Sequence, residues 1–323
     1  LVRHPAKVTV TVLVISNRLD ETADYLCSRM AAGEVAFVRL DTESAATTCS
    51  LAGSTSHIEL RIEGVPLTPA NVSTIWYRRP HALEPAGSGD RYDRAFAAAE
   101  WTAGLEGFLA HVPAARWMNH PANIMAASSK LEQLARSASF GFQVPAWVCT
   151  TERAAALRFF DECDGYVVTK PLYSGYIERA TPNADTVIFT SRVHRDDIGD
   201  WSSKLGAPTL FQREVVGLDV RVTVVEDEVT AIGLMRDDGV VDIRTCNMMG
   251  VRYSAQPVPD GVTSAIRALV HSYGLRFAAL DFKAANGVWH FLEINPNGQW
   301  AWLDLVAGTT IFRSFLRAFR DRA

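Results

Sequence analysis

An α/β unit at the N-terminus, followed by regions that mix strands and helices, is the fold the sequence predicts. Val8–Ile15 is an unbroken, mostly β-branched apolar run, the pattern of a central parallel strand. Asp20 to Met30 follows with helical spacing, because Ala23, Leu26, Cys27 and Met30 share one face. Val35–Leu40 reads as the next strand, and strand–helix–strand order marks a small α/β domain. With 323 residues the chain can bury a large core, and its length suggests two or three domains.

The remaining elements follow in order. Ile58–Ile62 alternates and predicts a hairpin with Val65–Leu67, and Thr74–Tyr77 is a short strand ending in Arg78-Arg79-Pro80. Arg91 to Leu109 is an Ala-rich helix with Phe96, Leu105 and Phe108 as core candidates. A second region begins near Pro121. It holds a helix over Ala126–Ser137, a turn into a strand at Phe140–Pro145, a helix over Ala154–Asp161, and strands at Tyr166–Lys170 and Val187–Thr190. The third region carries strands at Thr209–Val216, Asp219–Val225, Glu228–Met235, Ala278–Lys283 and Val288–Ile294, with a helix at Val262–Tyr273.

Composition removes several classes of function. The hydrophobic content of 48% and near-neutral mean hydropathy are those of a globular protein. A net charge of -4 gives no sign of non-specific nucleic-acid binding. No apolar run is long enough to span a bilayer, so no membrane partner is expected. Val8–Ile15 fits a buried first strand better than a signal peptide, which needs a small-residue cleavage site. The five cysteines (Cys27, Cys49, Cys149, Cys163, Cys246) are scattered and odd in number. They read as reduced thiols in a cytoplasmic protein rather than a disulfide frame or zinc site.

Chemistry concentrates near the C-terminus. Asp281 ends one apolar run, and Glu293 and Asn295 end the next. In a strand Glu293 and Asn295 point to one face. Carboxylate and amide oxygens suit Mg²⁺, which keeps waters and substrate phosphates in its shell. A plain hairpin strand ending in an Asn-Pro-Asn-Gly turn explains Glu293 and Asn295 equally well, and Asp281 tilts the balance toward metal.

Upstream, Lys170 ends a strand beside a flexible loop, Tyr173–Tyr176, and is placed to neutralise nucleotide phosphates. Lys130 lies early in a helix, and either lysine alone reads equally as an exposed side chain. Gln212, Glu214, Val215 and Val216 form a strand leading into a loop, which can offer backbone groups to adenine. Asp219 and Arg221 share a strand face, either as nucleotide contacts or as a surface ion pair. Arg236, Arg244 and Arg252 have the forked donors that suit phosphate or carboxylate, against the simpler reading of a solvated loop. His271 and His290 sit in apolar sequence and read as structural. The chain has no P-loop, no kinase motif set and no G-x-G-x-x-G fingerprint, so a dinucleotide cofactor is not indicated.

As a set, these motifs resemble an ATP-grasp ligase from about Lys130 to Asp304. Their order covers two phosphate lysines, an adenine hinge, a D-x-R pair, late arginines and a metal triad. Ile75-Trp76-Tyr77-Arg78-Arg79-Pro80 and Asn295-Pro296-Asn297-Gly298-Gln299-Trp300-Ala301-Trp302-Leu303 resemble more closely the microviridin-type graspetide synthetases. One departure is Arg213, where RimK-like relatives often place an acid directly after the glutamine.

The resemblance implies α/β and α+β architecture: an ATP-grasp fold with an N-terminal α/β pre-ATP-grasp domain. The expected boundaries are 1–120, 121–207 (central) and 208–323 (C-terminal). It implies ATP and Mg²⁺ as cofactors and activation of Asp or Glu side chains of a precursor peptide as acyl phosphates. Ester or amide crosslinks to Thr, Ser or Lys then form. It also implies a precursor with a leader and a Thr/Asp/Glu-rich core, and a homodimer. The implied roles are nucleotide contact for Lys130, Lys170, Gln212, Glu214, Val215, Val216 and Asp219, catalysis for Arg221, Arg236 and Arg244, and metal binding for Asp281, Glu293 and Asn295. Gly175 makes the 173–176 loop a candidate lid. A RimK-like ligase adding an amino acid, or an ATP-binding protein without catalysis, are the alternatives.

Overall fold

The structure, a computed structural model, describes residues 11–84, 89–173, 175–177, 186–199, 204–236, 239–245 and 250–321, without the side chains of Lys204 and Arg244. The first unit is α/β as expected. Strand β1 (Thr11–Ser16) is buried along its whole length and pairs in parallel with β2 (Phe37–Asp41). Residues 8–10 of the predicted run lie outside the described residues. Helix α1 (Glu21–Ala32) crosses between the two strands. The Asp20 carboxylate caps it by accepting from the Thr22 and Ala23 N–H groups, which satisfies donors that a helix start leaves orphaned.

A short helix, α2 (Ala45–Thr48), leads into the meander β3 (Cys49–Gly53), β4 (Ile58–Ile62) and β5 (Val65–Leu67), so the predicted hairpin gains a third strand. Strand β6 (Val72–Tyr77) returns beside β1, helix α3 (Arg91–Leu109) follows, and β7 (Trp117–Met118) completes the sheet order β2-β1-β6-β7. Leu105 and Phe108 are buried, but Phe96 is 69% exposed and leaves the core list. The inward face of α3 is confined to its last turns, and its first half has no layer over it.

The expected single helix over Ala126–Ser137 is two helices, α4 (Pro121–Ala127) and α5 (Lys130–Ser139), broken at Ser128-Ser129. Lys130 is therefore the first residue of α5. Beyond it come β8 (Trp147–Glu152), α6 (Arg153–Glu162), β9 (Val167–Lys170), the small ladder β10 (Tyr176–Ile177) with β11 (Thr186–Val187), β12 (Ser191–Arg192), α7 (Arg195–Gly199) and β13 (Lys204–Arg213). Of the predicted strand Val187–Thr190 only Val187 is in a strand, the end of β11, and Ile188–Thr190 connect it to β12. The predicted strand Thr209–Val216 is β13 shifted toward the N-terminus. It pairs with β8 and β9, giving the order β12-β9-β13-β8 and straddling the expected boundary at 207/208.

The third unit is an antiparallel sheet, β16-β15-β14-β17-β18. Its members are β14 (Leu218–Val225), β15 (Glu228–Met235), β16 (Arg252–Ala255), β17 (Phe277–Ala285) and β18 (Val288–Asn295), with α8 (Asp260–Ser272) connecting β16 to β17. One face buries Val220, Val222, Leu280, Phe282 and Ile294 in a core shared with Ile266 and Leu269 of α8 and Leu134 of α5. Two helices outside the sequence-based expectations follow, α9 (Ala301–Val306) and α10 (Ile311–Arg320). Trp300, Phe315 and Phe319 join Val12, Leu26 and Trp76 of the first unit to Val225, Ile232 and Phe277 of the last. Burying these large side chains in one cluster is favourable by roughly 2 kcal/mol apiece, so the two units share a core. His271 is exposed beside Asp227 rather than enclosed in apolar packing.

Candidate active site

The polar face of the five-stranded sheet is built from charges in register. Strands β14 and β17 pair so that Arg221 lies opposite Asp281 and Asp219 opposite Lys283, and β17 and β18 place Asp281 opposite Glu293. A bulge after Asp281 takes up the extra residue Leu292. Asp219 and Arg221 were read as possible partners of each other. Instead each pairs across the sheet, because directly opposite residues sit closer than i, i+2 neighbours.

Arg221 Nη1 donates to both oxygens of Asp281 at 2.8 Å, and Lys283 Nζ lies 2.8 Å from Asp219. Burial raises the Asp281 pKa, with Arg221 opposing and Glu293 adding to the rise. Burial raises that of Asp219 too, against the pull of Lys283. The turn after β18 closes on this row: Arg221 Nη2 donates to the Gln299 carbonyl at 3.0 Å. A Cβ on Gly298 would lie 2.3 Å from the Ala279 Cβ and 2.9 Å from Arg221 Nη2, so only glycine fits there.

The two lysines reach the same row from the other units. Lys130 Nζ donates to the Pro171 carbonyl at 2.6 Å and lies 3.7 Å from Glu293 Oε2. Lys170 Nζ donates to the Leu292 carbonyl at 3.1 Å. Burial lowers the Lys170 pKa, with Glu293 acting against this and Lys130 reinforcing it. Their placement depends on Gln133, which sequence reasoning missed. One turn after Lys130, its buried amide donates to the Ile294 carbonyl at 2.9 Å and accepts from the Ile294 N–H at 3.2 Å. This clamps α5 onto β18. Asn119 makes a similar clamp, donating to the Phe277 and Pro296 carbonyls. Neither residue carries a sequence signal beyond its type.

The hinge follows β13. Gln212 is buried, and its Nε2 has no hydrogen-bond acceptor among the described residues. Glu214 is held by Arg192, whose Nε and Nη2 donate to the carboxylate at 2.7–3.0 Å, and Arg192 Nη2 also donates to the Gly239 carbonyl at 3.1 Å. Arg213 instead pairs with exposed Asp164. Gly217 passes so close to β17 that a Cβ would meet the Ala284 carbonyl at 2.6 Å.

One cleft of about 1150 Å³ runs between the charged row, the lysines and the hinge. Among the predicted site residues, Lys130, Lys170, Gln212, Glu214, Val215, Val216, Asp219, Arg221, Arg236, Asp281, Glu293 and Asn295 all reach it. Arg236 directly follows β15. Arg244 falls in a short helical turn, and its side chain lies outside the described residues. In the 173–176 loop, Ser174 lies outside them too. Gly175 is pressed against the backbone of Ile188, whose oxygen a Cβ would approach to 2.2 Å, so close packing accounts for this glycine.

The two arginines after β6 diverge. Arg78 is fully buried beside Asp20, donating to the carbonyls of Asn297 and Gly298 and to Gln299 Oε1 at 2.7 Å. Burial pulls its pKa down to about 9. Arg79 turns into the cleft.

The donor set fits a hard divalent cation. Two carboxylates in cross-strand register and an amide two residues along offer oxygens alone, with open cleft for water or phosphate. Among the described residues no group of three or more His, Cys, Asp or Glu side chains forms a metal cluster, so a metal here depends on Asn295 or on a bound phosphate as a further donor. The orphaned Gln212 Nε2 fits a heteroaromatic nitrogen in the same cleft.

No protein-family model and no curated protein matches the chain. Solved structures do, and they define an ATP-grasp fold. The RiPP-associated ATP-grasp ligase of Chryseobacterium gregarium, in complex with ADP and a leader and core peptide, is 23% identical, with a TM-score of 0.82 and 97% of each chain covered. The macrocyclase MdnB from Microcystis aeruginosa MRC is 26% identical over 94% of this chain and 97% of its own, with a TM-score of 0.73. The ATP-grasp ligase PsnB, complexed with minimal precursor, Mg and ADP, is 22% identical over 96% and 97%, with a TM-score of 0.73. The likeness in fold to these structures covers 94–97% of the chain and so includes the N-terminal unit.

Proposed function

We propose that this chain is an ATP-dependent ligase that crosslinks a ribosomally made precursor peptide. It activates Asp or Glu side chains as acyl phosphates, which Thr or Ser hydroxyls or Lys amines then attack, with release of ADP and phosphate. One observation carries the reading: segments far apart in sequence, α5, β9, the end of β13 and the β17–β18 pair, deliver two lysines, a hinge and an acid pair to one cleft. The full-length likeness to macrocyclases supplies the peptide substrate class.

Mg²⁺ would be held by Asp281, Glu293 and Asn295, and it supplies charge neutralisation on the phosphates. Lys130 and Lys170 would grip phosphate oxygens. Gln212, Glu214, Val215 and Val216 would line the base, and Asp219 the ribose. Arg221 orients Asp281 through two hydrogen bonds, and Arg236 and Arg244 would face the acceptor and the transferring group. We propose three domains, near 1–120, 121–213 and 214–323; the second boundary moves from the expected 207/208 because β13 pairs with β8 and β9 as far as Arg213. A homodimer, a cytoplasmic setting and a Thr/Asp/Glu-rich core complete the proposal. In support of that setting, Cys27, Cys49, Cys149 and Cys163 are all free thiols.

The test is incubation with Mg-ATP and the precursor peptide encoded beside this chain, read by mass spectrometry. Loss of one water per crosslink is expected. A mass gain would point to a RimK-like ligase, and unchanged mass to a nucleotide-binding protein.

A further inference from the structure

Arg79 is the cation of the cleft that the ligase chemistry above leaves without a task. The other basic side chains around it are matched. Arg221 pairs with Asp281, Lys283 with Asp219, Arg192 with Glu214, Arg213 with Asp164 and Lys130 with Glu293. Lys170 is bound to a carbonyl. Arg79 has no carboxylate in ion-pair contact among the described residues. Its one hydrogen bond, from Nη2 to the Asn297 carbonyl, is 3.5 Å long, at the limit of a real interaction.

Its position is fixed all the same. The buried Asn17 amide donates to the Arg79 carbonyl at 2.6 Å, and the neighbouring Arg78 is clamped to Asp20 and to the turn at 297–299. The Arg79 backbone is thus anchored from both sides while its guanidinium enters the cleft beside that turn. Burial lowers its pKa, with the Asp20 carboxylate opposing this and the Arg221 charge adding to it, and Asp20 itself is in ion-pair contact with Arg78. The phosphate-side lysines approach from the central unit, whereas Arg79 approaches from the N-terminal unit.

We propose that Arg79 is the recognition site for the side-chain carboxylate of the incoming peptide, its fork holding the acid that is to be activated. This rests on the ligase reading above. A planar guanidinium offers two parallel donors to a carboxylate, which fixes orientation as well as charge. It is a positioning and specificity residue supplied by the unit that carries none of the nucleotide contacts.

The test uses the full chain with Mg and a non-hydrolysable ATP analogue. Two synthetic, C-terminally amidated peptides are compared: one with Thr, Glu and Asp, the other with every Glu and Asp replaced by Gln and Asn. The wild type should bind the acidic peptide about 10- to 100-fold more tightly, the range of a charged hydrogen-bonded pair. Arg79→Ala should remove most of that preference while leaving analogue affinity unchanged, and Arg79→Lys should retain part of it. Equal affinity of the wild type for both peptides, or an undiminished preference in a natively melting Arg79→Ala, overturns the proposal. Absence of crosslinks from the wild type would remove the ligase reading separately, leaving the binding ratio to decide Arg79.

Discussion

The two walls of the cleft are built on different principles. The floor formed by β14, β17 and β18 carries each charge opposite its partner, with register set by continuous antiparallel pairing and buried apolar side chains on the reverse face. The hinge wall is held at the end of β13 by backbone bonds from the Arg213 and Glu214 N–H groups to the Ala146 and Tyr166 carbonyls, and by the bidentate Arg192, reaching from a two-residue strand to Glu214 and the Gly239 carbonyl. A one-residue slip in the floor would turn every functional side chain into the core, so that register is strongly specified. The hinge wall has few buried contacts, which is where local opening is cheapest. The acid row sits on the tightly registered wall, and the hinge residues sit on the loosely packed one.

This contrast can be broken from the rigid side first. Glu293→Gln should lower turnover by more than about 100-fold, beyond the 10- to 100-fold typical of outer-shell partners of a metal, with an unchanged circular-dichroism spectrum. Unaltered crosslinking by this variant would remove the metal assignment. Next, Arg78→Ala strands the buried Asp20 and frees the turn at 297–299. Breaking one partner of a buried ion pair costs about 3–5 kcal/mol, to be read as a shift in urea midpoint. Gly298→Ala forces a methyl against Ala279 and Arg221, and overpacking of this kind costs roughly 1–3 kcal/mol, with activity falling as Arg221 moves.

Lys170→Met probes the cost of function. A lysine whose pKa falls on folding binds its proton more tightly when unfolded. Wild-type stability therefore rises as pH climbs from the folded pKa toward the ordinary 10.5. The methionine variant has no such dependence. It should melt above wild type near neutral pH, with the gap narrowing in alkali, and be inactive. Equal melting at both pH values would contradict the burial argument. The smallest effect belongs to the loose wall: Arg192→Ala should change stability by about 1 kcal/mol or less, as exposed pairs do, and shift nucleotide affinity only a few-fold by calorimetry.

The same contrast explains what could be read in advance. That Glu293 and Asn295 share a strand face was legible because strand alternation is local, and apolar runs located β1, β14, β17 and β18 to within a few residues. Strand neighbours are not local. Nothing in Asp219-Val220-Arg221 says that these charges belong to Lys283 and Asp281, and nothing in Gln133 says that it will grip Ile294. Helix α9 spans only Ala301–Val306, too short to display a period, whereas α10 does carry a single apolar stripe of Ile311, Phe315, Leu316 and Phe319 that was legible and was overlooked. Phe96 was overread, since helical spacing continued past the end of the layer it should have packed on.

The central claim is that a peptide carboxylate is phosphorylated by ATP before ring closure. A precursor peptide carrying a heavy-oxygen label in its Glu and Asp carboxylates tests this most directly. Carboxylate attack on the γ-phosphorus places a labelled oxygen in the bridge, and attack by a hydroxyl or amine at the acyl carbon then releases that oxygen with phosphate. One labelled oxygen in inorganic phosphate per crosslink is the predicted result. Label in AMP, or crosslinks formed with unlabelled phosphate, would contradict it.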